Sequence, residues 1–583
     1  MTRALRALVP ALTLALLGCG GSGSASSDTP PVDALVWDAP DAPADSGGDA
    51  HVTDPAEPDA SRPDEGPADA RDAVDDDPDA RAEPAADAAE PEPSRDVVAP
   101  DAADGPPPEV TEPFDAATPD AAAPDVSADP GVDTSGPPAP LFDHAAIRDA
   151  STAACTFTNK RTAIKNGAIL DVWDVSYLSW EAVDGALQPI TIRGFLAKPL
   201  NGSNLAGVIQ AHGLGGCAEQ DHATGPAALL DMAVLAYTGP GGGLGPDGAV
   251  AGGCAVSEGK AAGADSGYHL FDVLPDPRGT WFWGHPVAAM RGITCLQQRP
   301  DVDPNRIGMT GFSAGGVATL VVAGADDRVK AGVPLSACGR WDLAVQSPNA
   351  WQIGLLQVAG LTTSSPEWSA LLAALDPAVV VAGSHAPVMM VNGTSDEFFP
   401  LTAHVPTLAA ITQAETRTSL VGNFDHGCYQ LTGGESAATI EERATLRAEG
   451  AQRLWLRHWL TADPTWAYVP AAPVVSVQPQ GGGLFVTAVV DGGGSALTVE
   501  NVKLWWSLDD AFLWGSNDLQ QGTDLFAGVW WALLPVAPAP NLVTFVDVQY
   551  KTTGFPTRRF SISSVPALPA GLVPHIRGQA NCL

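Results

Sequence analysis

Six continuous apolar runs constrain the fold of this chain more than any other feature. They are Gly207–Ala211, Met232–Ala236, Ile307–Thr310, Ala331–Leu335, Pro387–Val391 and Thr418–Val421. Runs without polar alternation suit strands covered on both faces, and helical stretches separate several of them. That combination predicts a mostly parallel α/β sheet. Val172–Tyr177 and Ile190–Leu196 alternate instead, as antiparallel strands with one wet face do. A closing amphipathic helix is predicted from near Glu441 to Leu460, with Leu446, Leu454, Trp455 and Trp459 inward.

At 583 residues the chain is too long for one ordinary domain. Its net charge of −38 is unevenly spread, because residues 20–140 hold 31 of the acidic side chains against four arginines. That segment is Asp, Ala, Pro and Glu with almost no aromatics. It cannot bury enough apolar surface to offset the entropy of ordering, so a disordered tether is expected, spanning roughly 60 Å as a flexible coil. So acidic a chain has no electrostatic footprint for nucleic acid. Arg3 and Arg6 precede a mainly apolar run, Ala7 to Leu17, too short to cross a bilayer. It ends in Leu16-Leu17-Gly18-Cys19, which resembles the lipobox of bacterial lipoproteins. The resemblance implies cleavage before Cys19, lipidation there, and export to the cell envelope (the outer membrane), leaving the folded part periplasmic or extracellular. Membrane contact is then through the anchor alone.

The expected organisation is a signal peptide over 1–19, the tether over 20–140, an α/β domain over 141–465 and a C-terminal domain over 466–583. In the last, short strands such as Val474–Val477, Leu484–Val489, Val502–Trp506 and Val543–Val548 alternate with Gly and Pro turns. This predicts a β-sandwich of immunoglobulin or fibronectin type. Its tryptophans Trp505, Trp506, Trp514, Trp530 and Trp531 read first as core and second as a sugar-stacking platform. Besides Cys19 there are seven cysteines, at 155, 217, 254, 295, 338, 428 and 582. None has zinc-ligand spacing, so neither a metal nor a cofactor is expected, and the odd count leaves at least one without an intrachain partner.

The chemistry centres on Gly311-Phe312-Ser313-Ala314-Gly315-Gly316, a G-x-S-x-G between a predicted strand and a predicted helix. Small neighbours on so sharp a turn push the Ser313 hydroxyl out above the sheet and leave the next N–H free to face a reacting oxygen. A serine hydroxyl needs a base, and the base needs an orienting acid. On such a sheet both lie at the carboxyl ends of later strands. The run Pro387–Val391 leads into Asp396, and Thr418–Val421 leads into His426. Glu397 adjoins Asp396 but is expected to point elsewhere. Asp425 adjoins the base itself, and His404 is expected on the surface of a helix after Pro400. Acyl transfer also needs oxyanion donors, one of which is the N–H of Ala314.

The order Ser313, Asp396, His426, the elbow, the G-x-x-D-x-x-x-P turn of Gly393–Pro400 and the Asp425-His426-Gly427 ending resemble the α/β-hydrolase superfamily. Within it the chain is most similar to dienelactone hydrolase, acetyl xylan esterase and prolyl oligopeptidase-like catalytic domains, over roughly residues 165–462. The resemblance implies an α/β-hydrolase fold with Ser313 as nucleophile, His426 as general base and Asp396 as its orienting carboxylate. His212-Gly213-Leu214-Gly215-Gly216 resembles the H-G-x-G-G motif of esterases. It implies Leu214 N–H, with Gly215 as the alternative, as the second oxyanion donor, and His212 as a loop-shaping residue.

The insert from Trp341 to His385 is helix-rich and is expected to roof the pocket, with Trp281, Phe282 and Trp283 either on one wall or in a structural cluster. Prolyl oligopeptidase-like exopeptidases usually carry a large N-terminal propeller, and nothing in this sequence supplies one, which favours esters. The expected activity is hydrolysis of a small-molecule or polysaccharide-linked ester, with a peptidase using the same residues as the alternative and a binding lipoprotein as the third.

Overall fold

The computed structural model describes residues 140–244, 248–261, 269–347, 350–426, 435–523, 528–554 and 556–573. The signal segment with Cys19, the tether up to residue 139, Cys428 and Cys582 lie outside them.

Two short helices, α1 (His144–Arg148) and α2 (Ala150–Ala153), precede three antiparallel strands: β1 (Thr156–Lys165), β2 (Ala168–Val183) and β3 (Ala186–Pro199). Both hairpins have two-residue turns, Asn166-Gly167 and Asp184-Gly185, with positive φ at all four residues. That geometry matches the right-handed strand twist and is what Asn-Gly and Asp-Gly tolerate.

The remaining catalytic-domain elements alternate. They are β4 (Leu205–Ala211), α3 (Gln220–Leu230), β5 (Ala233–Tyr237), α4 (Trp281–Gln297), β6 (Val302–Phe312), α5 (Ala314–Ala325) and β7 (Val329–Leu335). The insert follows as α6 (Trp341–Ala344), α7 (Trp351–Val358), α8 (Pro366–Leu375) and α9 (Pro377–Val381). Then come β8 (Val388–Gly393), α10 (Leu401–Ala410), β9 (Thr416–Val421) and α11 (Ala437–Leu460). From β5 to β9 the sheet order is β5-β4-β6-β7-β8-β9, all parallel, and β3 pairs antiparallel with β5. Alternate strand residues feed opposite cores: Ile209 and Met390 pack on the side of α4 and α5, Val208 and Met389 on the side of α3 and α11. This is the α/β-hydrolase fold.

Helix α4 is buried along almost its whole length, as an apolar sequence on every face requires. Its Arg291 is fully buried and donates to the carbonyls of Leu178, Ala146, Ile147 and Asp149, clamping the N-terminal helices. Disulfides join Cys155 to Cys295 and Cys217 to Cys254, and Cys338 is a buried free thiol.

The C-terminal strands are β10 (Val474–Gln480), β11 (Gly483–Val489), β12 (Leu497–Asp509), β13 (Leu513–Asp518), β14 (Gln520–Gln521), β15 (Val529–Leu534), β16 (Val543–Thr552) and β17 (Arg559–Ser563). They form a sandwich of two sheets, but one of these continues the hydrolase sheet. Thr418 of β9 pairs with Ser563 of β17, giving thirteen strands in the order β1-β2-β3-β5-β4-β6-β7-β8-β9-β17-β16-β12-β13. The edge that β9 would otherwise present is thereby covered. The apolar residues of α11 and the inner faces of both C-terminal sheets share one core, including Leu454, Trp455, Leu484, Val486, Leu504 and Val548.

Several expectations shift in detail. Leu454 and Trp455 are buried on α11, whereas Leu446 and Trp459 are only half-buried. Trp505 and Trp514 are core residues, while Trp506, Trp530 and Trp531 are half-buried. His404 is not on the surface: it is fully buried, with its Nε2 3.0 Å from the Thr418 hydroxyl, because its face of α10 packs on the sheet. Burial pulls its pKa down to about 4.

Candidate active site

Ser313 stands between β6 and α5 at φ 57°, ψ −122°, a backbone conformation that costs a non-glycine residue about 1–3 kcal/mol. Its glycine neighbours are forced by close approach. A Cβ on Gly311 would lie 2.6 Å from the Gly315 carbonyl, and one on Gly315 would lie 2.3 Å from the Ala211 oxygen. The strain is held by hydrogen bonds, because the Ser313 N–H donates to the Leu335 carbonyl at 3.0 Å and its own carbonyl accepts from Val317 N–H.

The loops after β8 and β9 bring Asp396 and His426 to this turn. His426 Nε2 lies 2.8 Å from Ser313 Oγ, and Nδ1 lies 3.0 and 3.1 Å from the two Asp396 oxygens. Asp396 Oδ1 also accepts the N–H groups of Phe398 and Phe399, each at 2.9 Å, which fixes the carboxylate from behind. With Nδ1–H directed at Asp396, the Nε2 lone pair is left to face the serine proton. Burial opposes charge on the imidazole, but the Asp396 carboxylate outweighs it and holds the His426 pKa above its ordinary value.

Glu397 departs from expectation. It turns back beneath the base, where its Oε2 accepts the His426 N–H at 3.3 Å, while Oε1 has no partner. Burial first, and the neighbouring Asp396 second, push its pKa up to about 8. Asp425 is buried as well. A glutamate beside the acid gives no sequence signal of this, since only the turn geometry decides which way it points.

The His212–Gly216 loop lies against the elbow: a Cβ on Gly213 would come 3.3 Å from Ser313 Cβ. His212 Nδ1 is 2.6 Å from the Gly213 carbonyl, and Nε2 accepts the Gly239 N–H at 2.8 Å. That pattern assigns the Nδ1–H tautomer and pins the loop, and burial keeps the ring neutral with a pKa of about 4. The Cys217–Cys254 bond and Thr238, which accepts from Ala218 N–H and donates to the Ala255 carbonyl, hold the loop from its other end. Neither the Ala314 nor the Leu214 N–H donates to an acceptor among the described residues.

Aromatic rings surround the base, with Phe398 at 4.2 Å, Phe312 at 5.1 Å and Phe399 at 5.5 Å between centroids. From the insert, Trp351 stacks on Phe398 at 4.5 Å and Gln352 donates to the Phe398 carbonyl. Trp281 and Trp283 are buried, with their indole N–H groups on the carbonyls of Pro240 and Leu141, so they are structural. Among the described residues Cys217, Glu219 and Cys254 have ligand-like proximity, but the two sulfurs are bonded to each other and cannot act as thiolate ligands.

Residues 289–434 match the model of the prolyl oligopeptidase family. No curated protein sequence matches the chain. Among solved structures, an acetyl xylan esterase from Paenibacillus sp. R4 is similar at 18% identity and TM-score 0.40, over 52% of this chain and 90% of that one. Acetyl xylan esterase 1 from Thermoanaerobacterium sp. JW/SL YS485 is similar at 18% identity and TM-score 0.36, over 50% and 88%. An acylaminoacyl peptidase from Pyrococcus horikoshii is similar at 14% identity and TM-score 0.34, over 53% and 57%. The chain is a serine hydrolase of α/β-hydrolase fold.

Proposed function

We propose that this serine hydrolase cleaves carboxylic esters through an acyl-enzyme. The observation that carries the reading is the unbroken chain of contacts from Ser313 Oγ through His426 to Asp396, at 2.8 and 3.0 Å. His426 Nε2 takes the serine proton as Oγ attacks the ester carbonyl, and Asp396 steadies the imidazolium. The oxygen that becomes negative is met by the N–H groups of Ala314 and Leu214. Collapse expels the alcohol, which takes its proton from His426, and water then repeats the sequence to free the acid. Aromatic walls around the base suit an uncharged acyl group, small or carried on a polysaccharide. A second reading, a peptidase or amidase on the same residues, is favoured by the prolyl oligopeptidase family match.

A fluorophosphonate probe should label the wild type and not Ser313→Ala, and equal labelling of both would sink the nucleophile. Turnover of p-nitrophenyl acyl esters without turnover of aminoacyl amides separates the two readings. We also infer lipid anchoring through Cys19: incorporation of a fatty-acid analogue should vanish in Cys19→Ala, and its persistence there would refute the anchor.

A further inference from the structure

The turn joining β12 to β13 and the first residues of β13 touch both loops that carry the acid and the base. Asn423, three residues before His426, is buried; its Oδ1 accepts the Trp514 N–H at 3.0 Å and its Nδ2 donates to the Trp514 carbonyl at 2.9 Å. This two-bond pairing imitates a strand contact. On the other loop, Ser395, next to Asp396, donates its hydroxyl to the Phe512 carbonyl at 2.9 Å. The Asn423 N–H donates to Thr394 Oγ1 at 2.9 Å, so the two loops are also tied to each other. Behind them Trp505 covers Gly422 so closely that a Cβ there would lie 2.5 Å from the ring. The Leu420 N–H, just upstream, donates to Ser563 Oγ at 2.9 Å.

The geometry points to the C-terminal sandwich as part of the catalytic framework: through Asn423 and Ser395 it holds Asp396 and His426 in register with Ser313. Asn423 and Ser395 are positioning residues, since neither touches the reacting atoms. A displacement of about 1 Å at reacting groups can cost on the order of 100-fold in rate. The contacts fall on the two loops where such a displacement matters, and they come from main-chain atoms of the β12–β13 turn (Phe512) and of β13 (Trp514). The inference rests on the triad proposed above.

The test uses the full chain with Asn423→Gly and, separately, Ser395→Ala. Asn423 has φ 58°, so glycine keeps the left-handed backbone without strain and removes the side chain with its two bonds to Trp514 and one to Glu435 at 3.0 Å, whereas Ser395→Ala breaks a bond to the sandwich alone. With an acyl ester, kcat should fall about tenfold or more in Asn423→Gly and about threefold in Ser395→Ala, with KM held within about twofold. The low-field imidazole proton shared by His426 and Asp396 should shift or broaden in both. A kcat that stays at the wild-type value in both variants, or that falls only in step with the phosphonate-titratable fraction, overturns the scaffold. Should Asn423→Gly fail to fold, Ser395→Ala decides by the same criteria. If the wild type is not labelled at Ser313, the nucleophile falls separately; the imidazole proton still reports the acid–base bond without turnover, and an unchanged resonance in both variants overturns the scaffold.

Discussion

At the scale of single residues the site places two carboxyl groups next to each other and gives them different surroundings. Asp396 accepts two backbone N–H groups and the imidazole, whereas Glu397 accepts one N–H and is otherwise buried without a partner. Asp396→Asn should leave the fold intact and lower kcat by about four orders of magnitude, since the amide favours the wrong imidazole tautomer; steady-state kinetics on phosphonate-titrated protein checks this. Glu397 carries a different prediction, read in stability. Its ordinary value of 4.5 rises to about 8 in the fold, where Asp396, Asp425 and His426 face it. The folded protein therefore binds the proton more tightly than the unfolded chain. The stability this contributes is complete below about pH 4.5 and is lost as pH rises through about 8. Glutamine has no charge to bury, so the melting temperature of Glu397→Gln should gain on the wild type between those limits and level off above. A difference that stays flat with pH would show that the Glu397 carboxyl is not held protonated.

At the scale of elements, the His212–Gly216 loop is fixed by contacts rather than by secondary structure. His212 ties it to Gly239, and the Cys217–Cys254 bond, which joins positions 37 apart in sequence, anchors its downstream end. Replacing both cysteines by serine should cost about 3–4 kcal/mol of stability by loop entropy. It should also lower kcat more than it changes KM, because the donor proposed on this loop, Leu214 N–H, matters most in the transition state; calorimetry and kinetics on the double variant test the two halves. Much at this scale was legible in the sequence. Unalternating apolar runs identify strands buried on both faces, and glycines around Ser313 mark a turn with no room for side chains. The order of Asp396 and His426 after two later runs places them at one end of the sheet. What stayed hidden depends on contacts between distant segments. Nothing within Arg559–Ser563 tells that the edge of β17 meets β9 more than a hundred residues upstream. Likewise nothing local distinguishes the buried His404 from a surface histidine, or tells that Asn423 pairs with Trp514.

At the scale of the whole molecule, two segments that read as separate domains share a sheet and a core, and a buried ion pair joins them. Arg447 on α11 donates to Asp547 of β16 and to Ser561 of β17, while Ser563 donates to the other Asp547 oxygen at 2.9 Å. Both charged groups are almost fully buried. Such a pair contributes little net stability over apolar residues of equal volume, yet removing one partner strands the other charge, at a cost of about 3–5 kcal/mol. Arg447→Met should therefore lower the urea midpoint strongly, and Arg447→Met combined with Asp547→Leu should recover most of the loss. Because the core is shared, unfolding is expected as a single transition in the wild type and in both variants, with ester hydrolysis lost in that same transition. If the sandwich instead melts first in Arg447→Met while hydrolysis persists through its melting, the two halves are energetically independent. The acid and base loops would then need no support from the sandwich, and the shared sheet would be a docking of finished domains.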